Sequence, residues 1–144
     1  MVDRKPKILF LCTHNAARSQ MAEGILRHLS EGMVEAYSAR NEPTDLHPLA
    51  VRALQETGID IRGQRSKSVN EFADQTFDFV ITLCDSAREL CPVFPGDPER
   101  IHWSFPDPSA VAGTEEVRYR AFKQTALELT TRLRPFLALR RTRS

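Results

Sequence analysis

Residues 7–20 read KILFLCTHNAARSQ, a short apolar run that ends in a cysteine and continues into a polar loop and an arginine. A continuous run of strand-forming apolar residues is typical of a parallel strand that is buried on both faces. From Arg18 onward the apolar residues recur at helical spacing, at Met21, Ile25, Leu26 and Leu29. The stretch therefore predicts a strand, a tight loop and a helix.

The same alternation continues along the chain. Three further strands are predicted, at VEAYSA (34–39), FDFVITLC (77–84) and ERIHWSF (99–105). Helices are predicted over 46–58, capped by Asp45 and ended by Gly58, and from Thr114 onward. Strands that alternate with helices predict one three-layer α/β domain over residues 1–144, a four-stranded parallel sheet with helices on both faces.

Three chemically distinctive residues follow the carboxyl ends of predicted strands. Cys12 ends the first strand, Cys84 ends the third, and Asp107 comes just after the fourth. Because ligands of open parallel sheets bind beyond the carboxyl ends of the strands, we expect these residues to meet there. Asp97 belongs to a second Asp-Pro pair but precedes the fourth strand, so it is expected at the opposite edge.

The loop after Cys12 suits a tetrahedral oxyanion. Successive backbone N–H groups and helix N-termini bind anions, and the guanidinium of Arg18 adds a planar fork of donors. The same positive field favours the thiolate of Cys12, which is the nucleophilic form, and Ser19 is expected to donate a hydrogen bond to that sulfur. The predicted oxyanion-binding residues are Thr13, His14, Asn15, Ala16, Ala17 and Arg18.

Each of these residues also has a purely structural interpretation. Cys12 can be a small buried apolar residue at a strand end, and Ser19 can be ordinary helix-start chemistry. Asp107 can be a turn residue before Pro108. The preceding strand, the following helix and an aspartate at the matching sheet edge together favour the catalytic interpretation.

Composition limits the remaining function classes. The net charge of the 144 residues is +1, with 27% charged side chains, so no strong field indicates a nucleic-acid partner. The chain contains no apolar run of the roughly 18 residues that a spanning helix needs and no recognisable secretory signal. We therefore expect a cytoplasmic monomer with reduced thiols and no membrane partner.

The three cysteines favour redox chemistry over a static framework. Their odd number argues against a structural disulfide set, and the absence of a CxxC pair argues against zinc, so no metal is expected. Cys84 and Cys91 flank DSAREL, which is compatible with a short helix. A helix would hold their Cα atoms about 10.5 Å apart, whereas a disulfide needs roughly 4.4–6.8 Å. The pair can bridge only if this segment unwinds.

These motifs resemble the low-molecular-weight protein tyrosine phosphatase superfamily and, within it, the thioredoxin-coupled arsenate reductases, which serve arsenical resistance. The resemblance spans nearly the whole chain. It is carried by CTHNAARS, NEPTDLHPLAVRALQETGIDI, FDFVITLCDSARELCP and FPDPSA. The loop is common to phosphatases and reductases, so the Cys84–Cys91 pair is the more specific mark of a reductase.

The resemblance implies a relay of three thiols. Cys12 attacks arsenate held by the loop and Arg18, while Asp107 protonates the departing oxygen. Cys84 then attacks the sulfur of Cys12 and arsenite leaves. Cys91 attacks Cys84 in turn, and thioredoxin reduces the resulting disulfide, each transfer being a thiol–disulfide exchange. The implied catalytic residues are Cys12, Arg18, Ser19, Cys84, Cys91 and Asp107.

The resemblance also raises the question of a cation. Some members seat a monovalent cation beneath the loop, and Asn15, Glu23 and Ser38 match parts of that site. Their further acidic ligand lies after a GIDI stretch, where this chain reads RGQRSKSV. This segment contains no acid, and we expect the ammonium of Lys67 to take the place of the cation.

Three alternatives remain open. A protein tyrosine phosphatase would use the same Cys12, Arg18 and Asp107, but such enzymes usually carry tyrosines after the Asp-Pro, where this chain has Ser109 and Ala110. Weak phosphatase turnover is still expected of a reductase, because phosphate esters and arsenate present similar anions to one loop. A non-catalytic oxyanion-binding or redox-sensing module is the second alternative. The third is a reductase that draws its electrons from glutaredoxin or a small thiol.

Overall fold

The computed structural model describes residues 5–12, 16–40, 46–64, 67–83 and 94–141. The β-strands are Lys7–Cys12 (β1), Glu35–Arg40 (β2), Phe79–Thr82 (β3) and Glu99–His102 (β4). The α-helices are Ala16–Ser30 (α1), Pro48–Gln55 (α2) and Glu115–Arg141 (α3). Two short 3-10 helices span Val69–Phe72 and Pro108–Ala110. None of the helices in these ranges is both long and apolar enough to cross a membrane.

The four strands form one parallel sheet in the order β2-β1-β3-β4. This confirms the predicted four-stranded parallel sheet. The chain leaves the central strand β1 towards β2 on one side and later returns to β3 on the other, so the strand order reverses at β1. A parallel sheet opens a crevice at the carboxyl end of such a strand. Cys12 lies at that end.

Both faces of β1 are buried, which explains its uninterrupted apolar sequence. Ile8 and Phe10 pack into a core formed with α1, α2 and α3. Leu9 and Leu11 face the opposite core, which includes the first 3-10 helix and Phe94. Within the described residues, the three α-helices therefore share one face of the sheet and the 3-10 helix covers the other.

The start of α2 differs from the prediction. His47 caps the helix instead of Asp45: its Nδ1 accepts a hydrogen bond from the N–H of Leu49 at 3.1 Å. Pro48 explains the difference, because proline favours the first helical position and leaves the residue before it as the cap. Burial, aided by the charge of Arg118, lowers the pKa of His47, which keeps the accepting nitrogen unprotonated.

The other predicted boundaries move by a few residues. The strand predicted over 77–84 spans Phe79–Thr82, and the one predicted over 99–105 ends at His102. The hydroxyl of Thr114 accepts a hydrogen bond from the N–H of Val117 at the start of α3. These shifts leave the order of the elements unchanged.

The substitution Gly24→Ala is expected to destabilise the fold. A Cβ at Gly24 would collide with a methyl group of Ile61, a fully buried side chain. Alanine in a helix interior stabilises the helix by about 1 kcal/mol relative to glycine, but overpacking destabilises the folded state by about 1–3 kcal/mol. We therefore expect a net loss of roughly 1 kcal/mol in the free energy of unfolding, measured by urea denaturation.

Gly63→Ala is the matched control. Among the residues that the structure describes, no heavy atom beyond the chain neighbours lies within 4 Å of a Cβ built at Gly63, so alanine there is expected to leave stability unchanged or raise it slightly. If Gly24→Ala raised the free energy of unfolding as much as Gly63→Ala, the close approach of α1 to Ile61 would be contradicted.

Candidate active site

Cys12 is the last residue of β1, and its side chain is 1% exposed. Helix α1 begins at Ala16, only four positions later, so the predicted helix follows the strand closely. A helix N-terminus carries partial positive charge, which favours an anion nearby. The predicted loop residues Thr13, His14 and Asn15 lie outside the described residues.

Arg18 lies in the first turn of α1 and is 6% exposed. Its Nη1 donates a hydrogen bond to the carbonyl oxygen of Phe105 at 2.8 Å, which fixes the plane of the guanidinium. Its Nε is buried and has no hydrogen-bond acceptor among the described residues. The Nε–Nη2 edge is therefore suited to receive a bidentate oxyanion.

Asp107 lies beside Arg18 with its two oxygens in different environments. Oδ1 accepts hydrogen bonds from the backbone N–H and the hydroxyl of Ser109, at 2.9 and 2.8 Å. Oδ2 lies 4.0 Å from Nη2 of Arg18. The Ser109 contacts orient the carboxyl group and leave Oδ2 facing the guanidinium, within reach of an oxyanion held by Arg18.

Ser109 was not predicted to have a role in the site. Its two contacts with Asp107 form the cap of the second 3-10 helix. The signal was present in the order Asp-Pro-Ser, because aspartate often caps a turn through its side chain. Asp97, the other aspartate before a proline, is exposed and lies two residues before β4, where the edge argument predicts it.

Backbone hydrogen bonds hold the ends of three strands together at this edge. The N–H of Leu83 donates to the carbonyl oxygen of Leu11 at 3.0 Å, and the N–H of Phe105 donates to the carbonyl oxygen of Leu83 at 3.1 Å. Leu11 directly precedes Cys12 and Leu83 directly precedes Cys84. Cys84 and Cys91 themselves lie outside the described residues.

A buried polar cluster lies on the α1 side of β2. Glu23 is 1% exposed and accepts a hydrogen bond from the hydroxyl of Ser38 at 2.6 Å. Arg27 pairs with its other oxygen at 2.8 Å, and the Nζ of Lys67 lies 3.7 Å from Glu23 Oε1. The structure thus brings together three of the four residues considered for the cation site; the fourth, Asn15, lies outside the described residues.

Two further buried residues lie in the described part of the site, Ser19, which was predicted, and Arg40, which was not. Ser19 follows Arg18 in α1 and is 1% exposed, and its hydrogen bond to the sulfur stays a prediction. Arg40, which the sequence analysis did not single out, ends β2 and is the register partner of Cys12. Arg40 is buried, with 2% of the residue exposed. This burial results from tertiary packing, which a charged residue at the end of a predicted strand does not indicate.

The chain is similar to known proteins over most of its length. The profile of a family described as "Low molecular weight phosphotyrosine protein phosphatase" matches residues 7–143. The chain is similar to an arsenate reductase of Shouchella clausii, with 42% identity over 132 residues. This match covers 92% of the chain and 95% of the relative.

Solved structures of two kinds of enzyme share the fold. The thioredoxin-dependent arsenate reductase of Corynebacterium glutamicum superimposes with a TM-score of 0.77 and 27% identity, over 100% of this chain and 66% of that one. A low molecular weight protein tyrosine phosphatase from T. tengcongensis superimposes with a TM-score of 0.72 and 30% identity, over 88% of this chain and 94% of that one. Both a reductase and a hydrolase are thus built on this architecture.

Proposed function

The chain belongs to the low-molecular-weight phosphotyrosine protein phosphatase family, and we propose that within it the protein reduces arsenate to arsenite with thioredoxin as electron donor. The observation that supports this most is the hydrogen bond between Leu83 and Leu11, at 3.0 Å. It joins the two residues that immediately precede Cys12 and Cys84. A phosphatase needs one thiol at this edge, whereas a reductase needs a second thiol within reach of the first.

The first step forms a bond between sulfur and arsenic. Cys12 attacks arsenate as a thiolate, and one oxygen of arsenate departs. The Nε–Nη2 edge of Arg18 binds the remaining oxygens, and Asp107 supplies the proton that lets the departing oxygen leave as water. The contact of Arg18 with Phe105, at 2.8 Å, keeps the guanidinium in place during this exchange.

The next steps move two electrons onto arsenic. The thiolate of Cys84 attacks the sulfur of Cys12, the sulfur–arsenic bond breaks, and its electron pair stays with arsenic, which leaves as arsenite. Cys91 then attacks the sulfur of Cys84 and releases the thiolate of Cys12. The dithiol of thioredoxin reduces the Cys84–Cys91 disulfide and is itself oxidised, which balances the two electrons.

The test compares two reactions of the same preparation. Arsenate-dependent oxidation of NADPH is followed with thioredoxin and thioredoxin reductase, alongside hydrolysis of an aryl phosphate. We expect steady consumption of NADPH and only slow ester hydrolysis. Fast hydrolysis without arsenate-dependent oxidation would identify a phosphatase instead. Replacing thioredoxin with glutaredoxin or glutathione in the same assay tests the choice of donor.

We also propose that Lys67 replaces a monovalent cation beneath the loop. Its ammonium lies 3.7 Å from Glu23, whose carboxylate also accepts from Ser38. The side chain of Lys67 is 13% exposed and that of Glu23 is 1% exposed, so solvent screens this pair weakly. A fixed ammonium there supplies the charge that a cation would otherwise bring.

The expected result is an activity that does not depend on potassium. Replacing sodium by potassium at constant ionic strength should leave the rate of arsenate reduction unchanged. Lys67→Ser should lower the free energy of unfolding by roughly 1–3 kcal/mol, because it leaves the buried carboxylate of Glu23 with one partner fewer. Potassium should then partly restore the activity of this variant.

Lys123→Ser is the matched control for Lys67→Ser. Lys123 forms an ion pair of similar length with Glu56, at 3.6 Å, but both side chains are about half exposed. Its loss should cost about 0.5 kcal/mol or less and leave potassium without effect. A clear rise in wild-type activity with potassium would contradict the proposed role of Lys67.

A further inference from the structure

A second arginine is buried at the strand end next to Cys12. Arg40 ends β2, is the register partner of Cys12 at the end of β1, and is 2% exposed. Its backbone is fixed there by a hydrogen bond from its N–H to the carbonyl oxygen of Lys67 at 3.0 Å, and by a bridge to Ser68. A buried guanidinium is uncommon because removing its charge from water is costly.

The register places the charge of Arg40 near the thiol. Adjacent strands lie about 4.8 Å apart, so the side chains of paired residues begin close together. Even an extended arginine then keeps its charge within roughly 10 Å of the sulfur. At this distance and in a poorly screened interior, a positive charge favours a thiolate by an amount equivalent to about one pH unit.

Other charged groups of the described chain surround the same edge. Arg18 contributes a cation from α1 and Lys67 one from the segment before the first 3-10 helix. Glu23 lies between Lys67 and Arg27, and Asp107 lies 4.0 Å from Arg18. Arg40, whose side chain has contacts of its own, is a further buried cation on the β2 side of Cys12.

We propose that Arg40 is a positioning residue whose buried charge favours the thiolate of Cys12, in addition to the effect of Arg18. It acts through the field at the sulfur and not by contact with arsenate. The inference rests on the proposed function only for the identity of the nucleophile. Because it concerns the thiolate itself, it is measured without arsenate or thioredoxin.

The test measures how fast iodoacetamide modifies Cys12 as a function of pH, followed by mass spectrometry of the peptide that contains it. Arg40→Met removes the charge and keeps much of the side-chain length. Its pH profile is expected to shift upward by about one unit. Arg40→Lys retains the charge, so its profile should return at least halfway to that of the wild type. Arg120→Met, which removes an exposed arginine of α3, should leave the profile unchanged.

Each other outcome would overturn the inference. An unshifted profile in a folded Arg40→Met protein would exclude an effect of the charge. A shift that Arg40→Lys fails to reverse would assign the effect to shape. Loss of the folded state in both variants would make Arg40 a packing residue. A protein that shows the shift but forms no arsenite would refute the proposed function alone.

Discussion

Replacing Cys12 with serine is expected to abolish arsenate reduction and aryl phosphate hydrolysis together. A serine hydroxyl is almost fully protonated at neutral pH, is a poorer nucleophile and cannot pass electrons to arsenic. Removal of a nucleophile from an assembled site costs at least about 10⁴-fold in rate. Both activities should therefore fall below the limit of detection, measured as arsenite released and as aryl alcohol released.

Two comparisons separate this effect from damage to the fold. Serine and cysteine are nearly isosteric, so the thermal unfolding of Cys12→Ser should stay close to that of the wild type although the site is 1% exposed. Cys84→Ser is the matched variant: it should release no arsenite but retain hydrolysis of the aryl phosphate. Arsenite formed by Cys12→Ser at a substantial rate would assign the nucleophile to another thiol.

Cys91→Ser is expected to stop arsenate reduction after one turnover. Cys12 and Cys84 suffice to release one arsenite and then remain joined as a disulfide. Without Cys91 this disulfide is not transferred to the pair that thioredoxin reduces. Mixing the variant with excess arsenate and thioredoxin should yield about one arsenite per protein molecule, whereas the wild type continues.

The same variant tests the relay against a phosphatase mechanism. Hydrolysis of an aryl phosphate by reduced Cys91→Ser should match the wild-type rate, because that reaction uses Cys12, Arg18 and Asp107. Peptide mapping after the burst of arsenite should find the Cys12–Cys84 disulfide. Continued arsenate turnover at the wild-type rate would show that the three-thiol relay is wrong.

Local patterns were sufficient to predict the architecture. The run KILFLC is apolar on both faces, which is possible only for a strand covered on both sides, and it predicted β1 with its observed bounds. The rule on strand ends predicted Asp107, and not Asp97, at the carboxyl edge of the sheet with Cys12, and Asp107 lies 4.0 Å from Arg18 beside that edge. Both arguments succeed because they depend on the direction of parallel strands, which the alternation of strands and helices already determines.

Details that depend on contacts between distant segments were not accessible. The carbonyl oxygen of Phe105 that anchors Arg18 is 87 residues away in the chain. The burial of Arg40 depends on its pairing with β1 and on the backbone of Lys67. The cap of α2, in contrast, could have been predicted from the sequence. Pro48 indicates that the residue directly before it is the cap, and the prediction of Asp45 was wrong.

The hydrogen bonds that join Leu11, Leu83 and Phe105 have a mechanical consequence. They hold three strand ends together in one frame. Arg18 is attached to the same frame by its hydrogen bond to the carbonyl oxygen of Phe105. Cys12, Arg18 and Asp107, the proposed nucleophile, oxyanion-binding residue and proton donor, therefore belong to one frame. In the proposed relay, oxidising equivalents leave this frame by thiol–disulfide exchange and not by movement of Cys12.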